Sequence, residues 1–215
     1  MSLTFHFHPL SSFCHKALIG LYELDVPFNK HIVDFSDPAA RAAFLRLWPV
    51  GKFPLLEDDS RGLLLPESTI ILEYLDAWRA SDRRLIPRDP DAARDCRLRD
   101  RFFDLYIHLP MQKIVGDRLR LGEKRDPYGV AEAKSQIETS YAIVDEWLCD
   151  GPWVLGDVFT MADCAAAPAL YYANKVVPFA ADRRNLAAYF ARLEARPSYA
   201  RVLEEAKPYL SLFPG

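Results

Sequence analysis

Between residues 51 and 78 the chain reads Gly51-Lys52-Phe53-Pro54-Leu55-Leu56-Glu57-Asp58-Asp59-Ser60-Arg61-Gly62-Leu63-Leu64-Leu65-Pro66-Glu67-Ser68-Thr69-Ile70-Ile71-Leu72-Glu73-Tyr74-Leu75-Asp76-Ala77-Trp78. Leu55-Leu56 and Leu63 to Leu65 flank the turn Asp58 to Gly62, so they read as two short strands of a hairpin. Ile70, Ile71, Tyr74, Leu75 and Trp78 then share one stripe of a helix. Gly51 to Pro54 enters the first strand, and Glu67-Ser68 opens the helix. Together they describe a sheet edge beside a helix N-terminus, suited to holding a small acidic peptide.

Upstream, strand and helix signals alternate. Leu3, Phe5 and Phe7 alternate with Thr4, His6 and His8, which predicts a strand. Pro9 to Ser12 forms a loop, with Ser11 or Ser12 capping a helix on which Cys14, Leu18 and Leu21 share a face. Phe28 to Val33 is a second strand. Ser36 or Asp37 caps the next helix, with Pro38 in its first turn. The order over residues 1–80 is βαβαββα. Residues 79–91 are charged, carry Pro87 and Pro90 and show no apolar period, which marks a linker centred on 81–90.

From 91 onward the chain reads as helix. Leu98, Phe102, Leu105 and Leu109 follow helical spacing, and Pro110 should kink or end that element. Ile137, Tyr141, Val144 and Leu148 make another stripe, and Leu186, Tyr189, Phe190 and Leu193 a third. Thr160-Met161-Ala162-Asp163 is a capping box with Asp in the usual Glu position and Phe159 as a hydrophobic staple; its expected role is structural. The apolar tail Tyr209 to Gly215 either closes over a site or docks on the core.

The 215 residues suffice for two small domains with their own cores. The 27 basic and 30 acidic residues divide 7 and 10 before position 80 and 20 and 20 beyond it. Neither part is a basic surface, so no nucleic acid is expected as a partner. No apolar run reaches membrane-spanning length and no secretory leader is visible, so no membrane partner is expected. Cys14, Cys96, Cys149 and Cys164 lack zinc or paired spacing, which predicts reduced thiols and a cytoplasmic location. His6, His8 and His15 have no ligand spacing that predicts a metal site.

The ordered motifs Gly51 to Pro54, Glu67-Ser68 and Thr160 to Asp163 followed by Pro168 resemble the cytosolic glutathione transferase family over nearly the whole chain. The resemblance implies a thioredoxin-like N-terminal domain over 1–80 and an all-helical C-terminal domain over 91–215. It implies a glutathione co-substrate without a metal, a hydrophobic electrophile or peroxide, and a homodimer. Pro54 is then expected in cis, turning the Phe53 backbone toward the cysteinyl unit as an added strand. Glu67 would pair the γ-glutamyl ammonium, while Ser68 and the helix N-terminus hold its carboxylate. Ser11, with Ser12 as its neighbour on the same loop, would donate to the thiol sulfur and favour the thiolate. Lys52 either pairs the glycyl carboxylate or is a solvated turn residue. Asp104 would reach a neighbouring subunit's ligand. Leu10, Tyr106, His108, Met111 and Tyr171 are candidates for the electrophile pocket.

Three features depart from the family pattern: Phe53, the surroundings of the Ser11-Ser12 pair, and the apolar tail Tyr209 to Gly215 described above. Phe53 stands where a small aliphatic residue is commoner and either narrows the pocket or points into the core. The neighbours of Ser11-Ser12 do not match an isomerase-like class. Ser11 to Cys14 has the spacing of a redox Cys-x-x-Cys with serine in the reactive place. That leaves two alternatives: a thiol oxidoreductase acting through Cys14, and a non-catalytic interaction protein of the same fold.

Overall fold

A computed structural model describes residues 3–78 and 83–214. The N-terminal domain runs β1 (Leu3–Phe7), α1 (Ser12–Glu23), β2 (Asn29–Ile32), α2 (Pro38–Leu47), β3 (Leu55–Asp58), β4 (Leu63–Pro66) and α3 (Ser68–Trp78). The strands form one sheet in the order β2-β1-β3-β4. β1 is parallel to β2 and antiparallel to β3, and β3 is antiparallel to β4. This is the thioredoxin-like arrangement expected from the motif order.

The alternation along β1 is less clean than the sequence suggested. His6 is buried along with Leu3, Phe5 and Phe7. It stands against Phe44 of α2 and hydrogen-bonds Glu57 at 3.1 Å, so helices cover both faces of the strand. Of the two candidate caps for α2, Asp37 performs the task, accepting from the Ala39 N–H at 2.9 Å. α1 is buried nearly throughout, against α3 and against the helices at Met161–Val176 and Pro197–Ala206 of the second domain. Its Gly20 permits this: an added Cβ would lie 2.0 Å from Leu72 Cδ2.

The second domain contains α4 (Pro90–Phe102), a π-helical segment (Phe103–His108), α5 (Leu109–Arg118), α6 (Pro127–Trp147), α7 (Met161–Val176), α8 (Arg184–Ala195) and α9 (Pro197–Ala206). The expected kink at Pro110 takes the form of that π segment, in which Leu109 N–H reaches back five residues to the Asp104 carbonyl. Proline offers no N–H to the Tyr106 carbonyl four residues earlier. The Ser140 hydroxyl reaches that carbonyl at 3.0 Å, sharing its proton with the Gln136 carbonyl at 2.8 Å.

Two sequence expectations change. Leu98, Leu105 and Leu109 are exposed rather than core. The buried face of the same segment carries Cys96, Asp100, Phe103, Asp104, Ile107 and His108. Charged residues occupy inward positions because Lys16 of α1 neutralises them. The linker is also firmer than its composition implied. Its start at 79–82 lies outside the described residues, but Leu85 and Ile86 are buried. The Asp76 carboxylate accepts from the N–H groups of Leu85 and Ile86 at 2.6 and 3.3 Å. The Leu85 carbonyl in turn accepts from Met161 N–H at 2.8 Å.

The capping box at the start of α7 forms as read. Asp163 is fully buried, and Oδ2 accepts from Thr160 N–H and Thr160 Oγ1 at 2.8 and 3.1 Å. Its other oxygen accepts from Val154 N–H at 3.0 Å and the Tyr189 hydroxyl at 2.6 Å. We expect Thr160→Ala to cost about 1 kcal/mol, measured as a shift in urea midpoint at constant slope.

Candidate active site

Sheet topology gathers the candidate residues at one end. β1 runs antiparallel to β3, with His6 opposite Leu55, so the loop after β1 lies beside the segment entering β3. Leu55 also pairs with Pro66, which puts Glu67-Ser68 across from Phe53-Pro54. Three stretches far apart in sequence, at 8–12, 52–54 and 67–68, therefore meet.

The Phe53–Pro54 peptide is cis. The Phe53 ring points into the core, 4.8 Å from both Phe35 and Phe44, which answers the question its bulk raised. Glu67 has φ of 71°, a left-handed conformation costly for a side chain with a Cβ. Such strain is concentrated at binding and catalytic positions. It lets the Glu67 carbonyl accept from Ile71 N–H at 2.9 Å while its side chain stays exposed. Ser68 is buried in the first turn of α3, where the leading N–H groups have no partner within the helix.

A cavity of about 440 Å³ opens beside this end of the sheet. Leu10, Ser11, Ser12 and Lys52 form its N-terminal wall, and Met111, Gln112, Val115, Tyr172 and Phe213 the helical wall. The tail docks along it: Phe213 packs on Tyr172 at 5.2 Å, and Arg118 donates to the Pro214 carbonyl at 3.2 Å. A larger cleft of about 850 Å³ lies at Tyr22, Arg84, Trp153 and Arg196. Its guanidinium groups already have carboxylates, Arg196 on Glu23 at 2.6 Å and Arg84 on Asp76 at 2.7 Å.

The two serines differ. Ser11 caps α1, accepting from Cys14 N–H at 3.4 Å, and its hydroxyl also lies within hydrogen-bonding reach of the Cys14 thiol. Ser12 is buried, with its hydroxyl 2.5 Å from His108 Nε2. His108 stacks on Phe13 at 3.9 Å, and the π segment brings it across the domain junction onto α1. Burial, with Lys16 and His15 nearby, pushes its pKa down to about 3, so it is neutral at pH 7. Below about pH 6 an unfolded His108 gains a proton that the folded protein refuses. Wild type should therefore lose stability relative to His108→Gln by up to ~1.4 kcal/mol per pH unit as the pH falls toward 3. Parallel urea titrations across that range check this; equal slopes would refute it.

Cys14 is fully buried, and burial pushes its thiol up to about 12. A thiolate there is unavailable near neutrality, which argues against the redox alternative.

The other candidates divide. Leu10 and Met111 line the cavity. Tyr106 does not; it is exposed and lines a separate hollow with Phe102 and Gln136. Tyr171 is half-buried, carries Lys175 over its ring at 4.6 Å and stands edge-on to Tyr172. Tyr172, Val115 and Phe213 line the cavity without having been singled out. They come from three separate stretches of chain, and only the docked tail brings them together.

Asp104 lies apart from this set. Its Oδ2 is bound to Lys16 Nζ at 2.8 Å and to Arg101. Lys16 also pairs with Asp100 Oδ1 at 2.6 Å and donates to Thr69 Oγ1 at 2.8 Å. Thr69 donates onward to Asp100 at 2.8 Å. This buried cluster ties α1, α3 and α4 together directly behind the strained Glu67-Ser68 turn. The sequence signal for Lys16 is a lone lysine directly before the apolar run Ala17 to Leu21.

Comparison with known proteins agrees with the motif order. The family model for the glutathione S-transferase N-terminal domain matches residues 5–82, and that for the glutathione S-transferase C-terminal domain matches 103–197. The chain belongs to the glutathione S-transferase family. It is 28% identical to glutathione S-transferase GstB of Escherichia coli K12 over 189 residues, covering 87% of this chain and 91% of that protein. It is 27% identical to a stringent starvation protein A homolog of Coxiella burnetii, covering 79% and 75%. A glutathione S-transferase from Methylobacterium radiotolerans, solved with glutathione sulfonate, superposes with a TM-score of 0.81 at 28% identity over 94% of each chain. Among the described residues no helix is long and apolar enough to cross a membrane.

Proposed function

We propose that this transferase binds glutathione at the sheet end formed by Phe53-Pro54 and Glu67-Ser68 and uses the thiolate against a hydrophobic electrophile or peroxide in the adjoining cavity. The observation that carries this reading is the strained Glu67-Ser68 turn facing Phe53-Pro54, with the Ser11 hydroxyl at the same end. In this reading the Phe53 backbone pairs the cysteinyl unit, the α3 N-terminus and Ser68 take the γ-glutamyl carboxylate, and Glu67 takes its ammonium. Lys52 pairs the glycyl carboxylate. The enzyme is serine-type: Ser11 donates to the sulfur, supported by the prior engagement of the Ser12 hydroxyl with His108. Most of the rate gain comes from the stabilised thiolate and from holding both reactants together.

The division into a glutathione-binding domain over 1–80, a linker over 81–90 and an electrophile-binding domain over 91–215 follows from this assignment. A homodimer is part of it. Leu98, Leu105, Tyr106, Leu109 and Ile70 are exposed apolar side chains that a second copy would cover. Four free cysteines, three of them buried, suit a reducing cytoplasm. Isothermal calorimetry with glutathione and turnover of a chromogenic aryl halide test the reading. Protein that passes unretained through immobilised glutathione and shows no turnover would belong with the non-catalytic interaction proteins instead.

A further inference from the structure

His15, one turn into α1, has no part in the chemistry above. Its Nε2 lies 2.6 Å from the Pro9 carbonyl, and its backbone N–H donates to the Ser11 carbonyl at 2.9 Å. It therefore grips the Pro9-Leu10-Ser11 loop at both ends. A carbonyl only accepts, so the ring proton sits on Nε2 and Nδ1 is a bare acceptor. Burial holds the imidazole well down, to about 4, so it stays neutral.

That bare Nδ1 is buried without a partner. So are the hydroxyls of Tyr172 and Tyr199. The three rings gather between α1, α7 and α9: His15 is 5.7 Å from Tyr172 and 6.3 Å from Tyr199, centre to centre. Buried polar atoms in native proteins are nearly always satisfied, and ordered water does this where direct contact fails. Two hydroxyl donors and one bare nitrogen are the complement of one water molecule, which accepts from both tyrosines and donates to the imidazole. Tyr172 also lines the cavity beside Ser11, so the group borders the candidate site.

We propose that His15, Tyr172 and Tyr199 enclose an internal water that locks His15 in its Nε2–H tautomer, making His15 the positioning residue for the loop that carries Ser11. The water site stands on its own; the consequence for Ser11 rests on the glutathione reading above.

Two measurements address the water. A high-resolution crystal structure should show density bridging Nδ1 and the two hydroxyls, and Tyr199→Phe should lower Tm, because it removes a satisfied bond. An empty gap, or a Tm that holds or rises, overturns the site. The positioning role is read from a pH titration of the bound glutathione thiolate. His15→Leu should raise that thiol pKa by at least about half a unit, about three-fold in thiolate fraction. His15→Gln, whose amide still donates to the Pro9 carbonyl, should restore most of the shift. S-methylglutathione, which has no thiol to titrate, should bind wild type and both variants within about two-fold. A thiol pKa that ignores both substitutions overturns the positioning role. Wild type that fails to bind S-methylglutathione overturns the glutathione reading instead, and the density and Tyr199→Phe still decide the water.

Discussion

Replacing Lys16 with methionine should destabilise the protein by about 3–5 kcal/mol, the usual cost of removing one partner from a buried ion cluster. Lys16 Nζ sits between Asp100 and Asp104, both buried, at 2.6 and 2.8 Å. Burial pushes the Asp100 carboxyl up, and the Lys16 charge beside it is what most opposes that rise. Methionine fills much of the same volume, so packing loss is small and the measured effect is electrostatic. Arg101 still reaches Asp104 from the rim, but it is half-exposed and substitutes only in part. The measurement is urea unfolding at neutral pH. Adding Asp100→Asn to Lys16→Met should recover a large share, since the orphaned charge, rather than the missing bond, carries most of the cost. A single-variant loss under about 1 kcal/mol would mean that the cluster is already relaxed by water.

Ser11→Ala is expected to lower kcat/KM for glutathione conjugation about 100-fold, equivalent to ~2.7 kcal/mol of transition-state stabilisation, the usual loss for one aimed donor. The cause is specific. Ser11 borders the cavity, whereas the Ser12 hydroxyl is buried against the His108 imidazole. The decisive readout is the thiolate absorbance of bound glutathione against pH, which should shift upward by a unit or more. Ser11 also caps α1, so the variant should lose about 1 kcal/mol of stability as well; the pH titration separates the two effects. A titration that coincides with wild type removes Ser11 from the chemistry and leaves Ser12 as the remaining hydroxyl.

The reasons why some features were legible and others were not are physical. Strand, turn and helix order over residues 3–78 followed from local signals: alternating apolar residues in β1, the Asp58 to Gly62 turn, and Asp37-Pro38 opening α2. Each depends on neighbours within a few positions. The Thr160 capping box is equally local, with both partners inside one helical turn. The candidate binding residues at 53–54 and 67–68 were visible because backbone geometry there is dictated by proline and by a helix start.

Misreadings arose where burial depends on a distant partner. Asp104 reads as a carboxylate offered to a neighbouring subunit's ligand, whereas in the fold it is buried on Lys16, 88 positions away. Leu98 and Leu105 read as core because their spacing is right, yet the helix turns its charged face inward. Periodicity finds a stripe but does not say which side the protein covers. The sequence puts His108 among the pocket candidates, and the structure sets it behind Ser12 instead. Residue order alone does not foresee the π segment that rotates it there.

By itself, then, the sequence determined the family, the two-domain plan and the stretches able to contact a peptide, because those rest on short-range backbone rules. Tertiary structure alone decided which serine is buried against His108, which cation Asp104 meets and which side chains wall the cavity. Those outcomes are set by contacts across the domain junction, where a single buried lysine or imidazole fixes the ionisation and hydrogen bonding of groups nearly a hundred residues away.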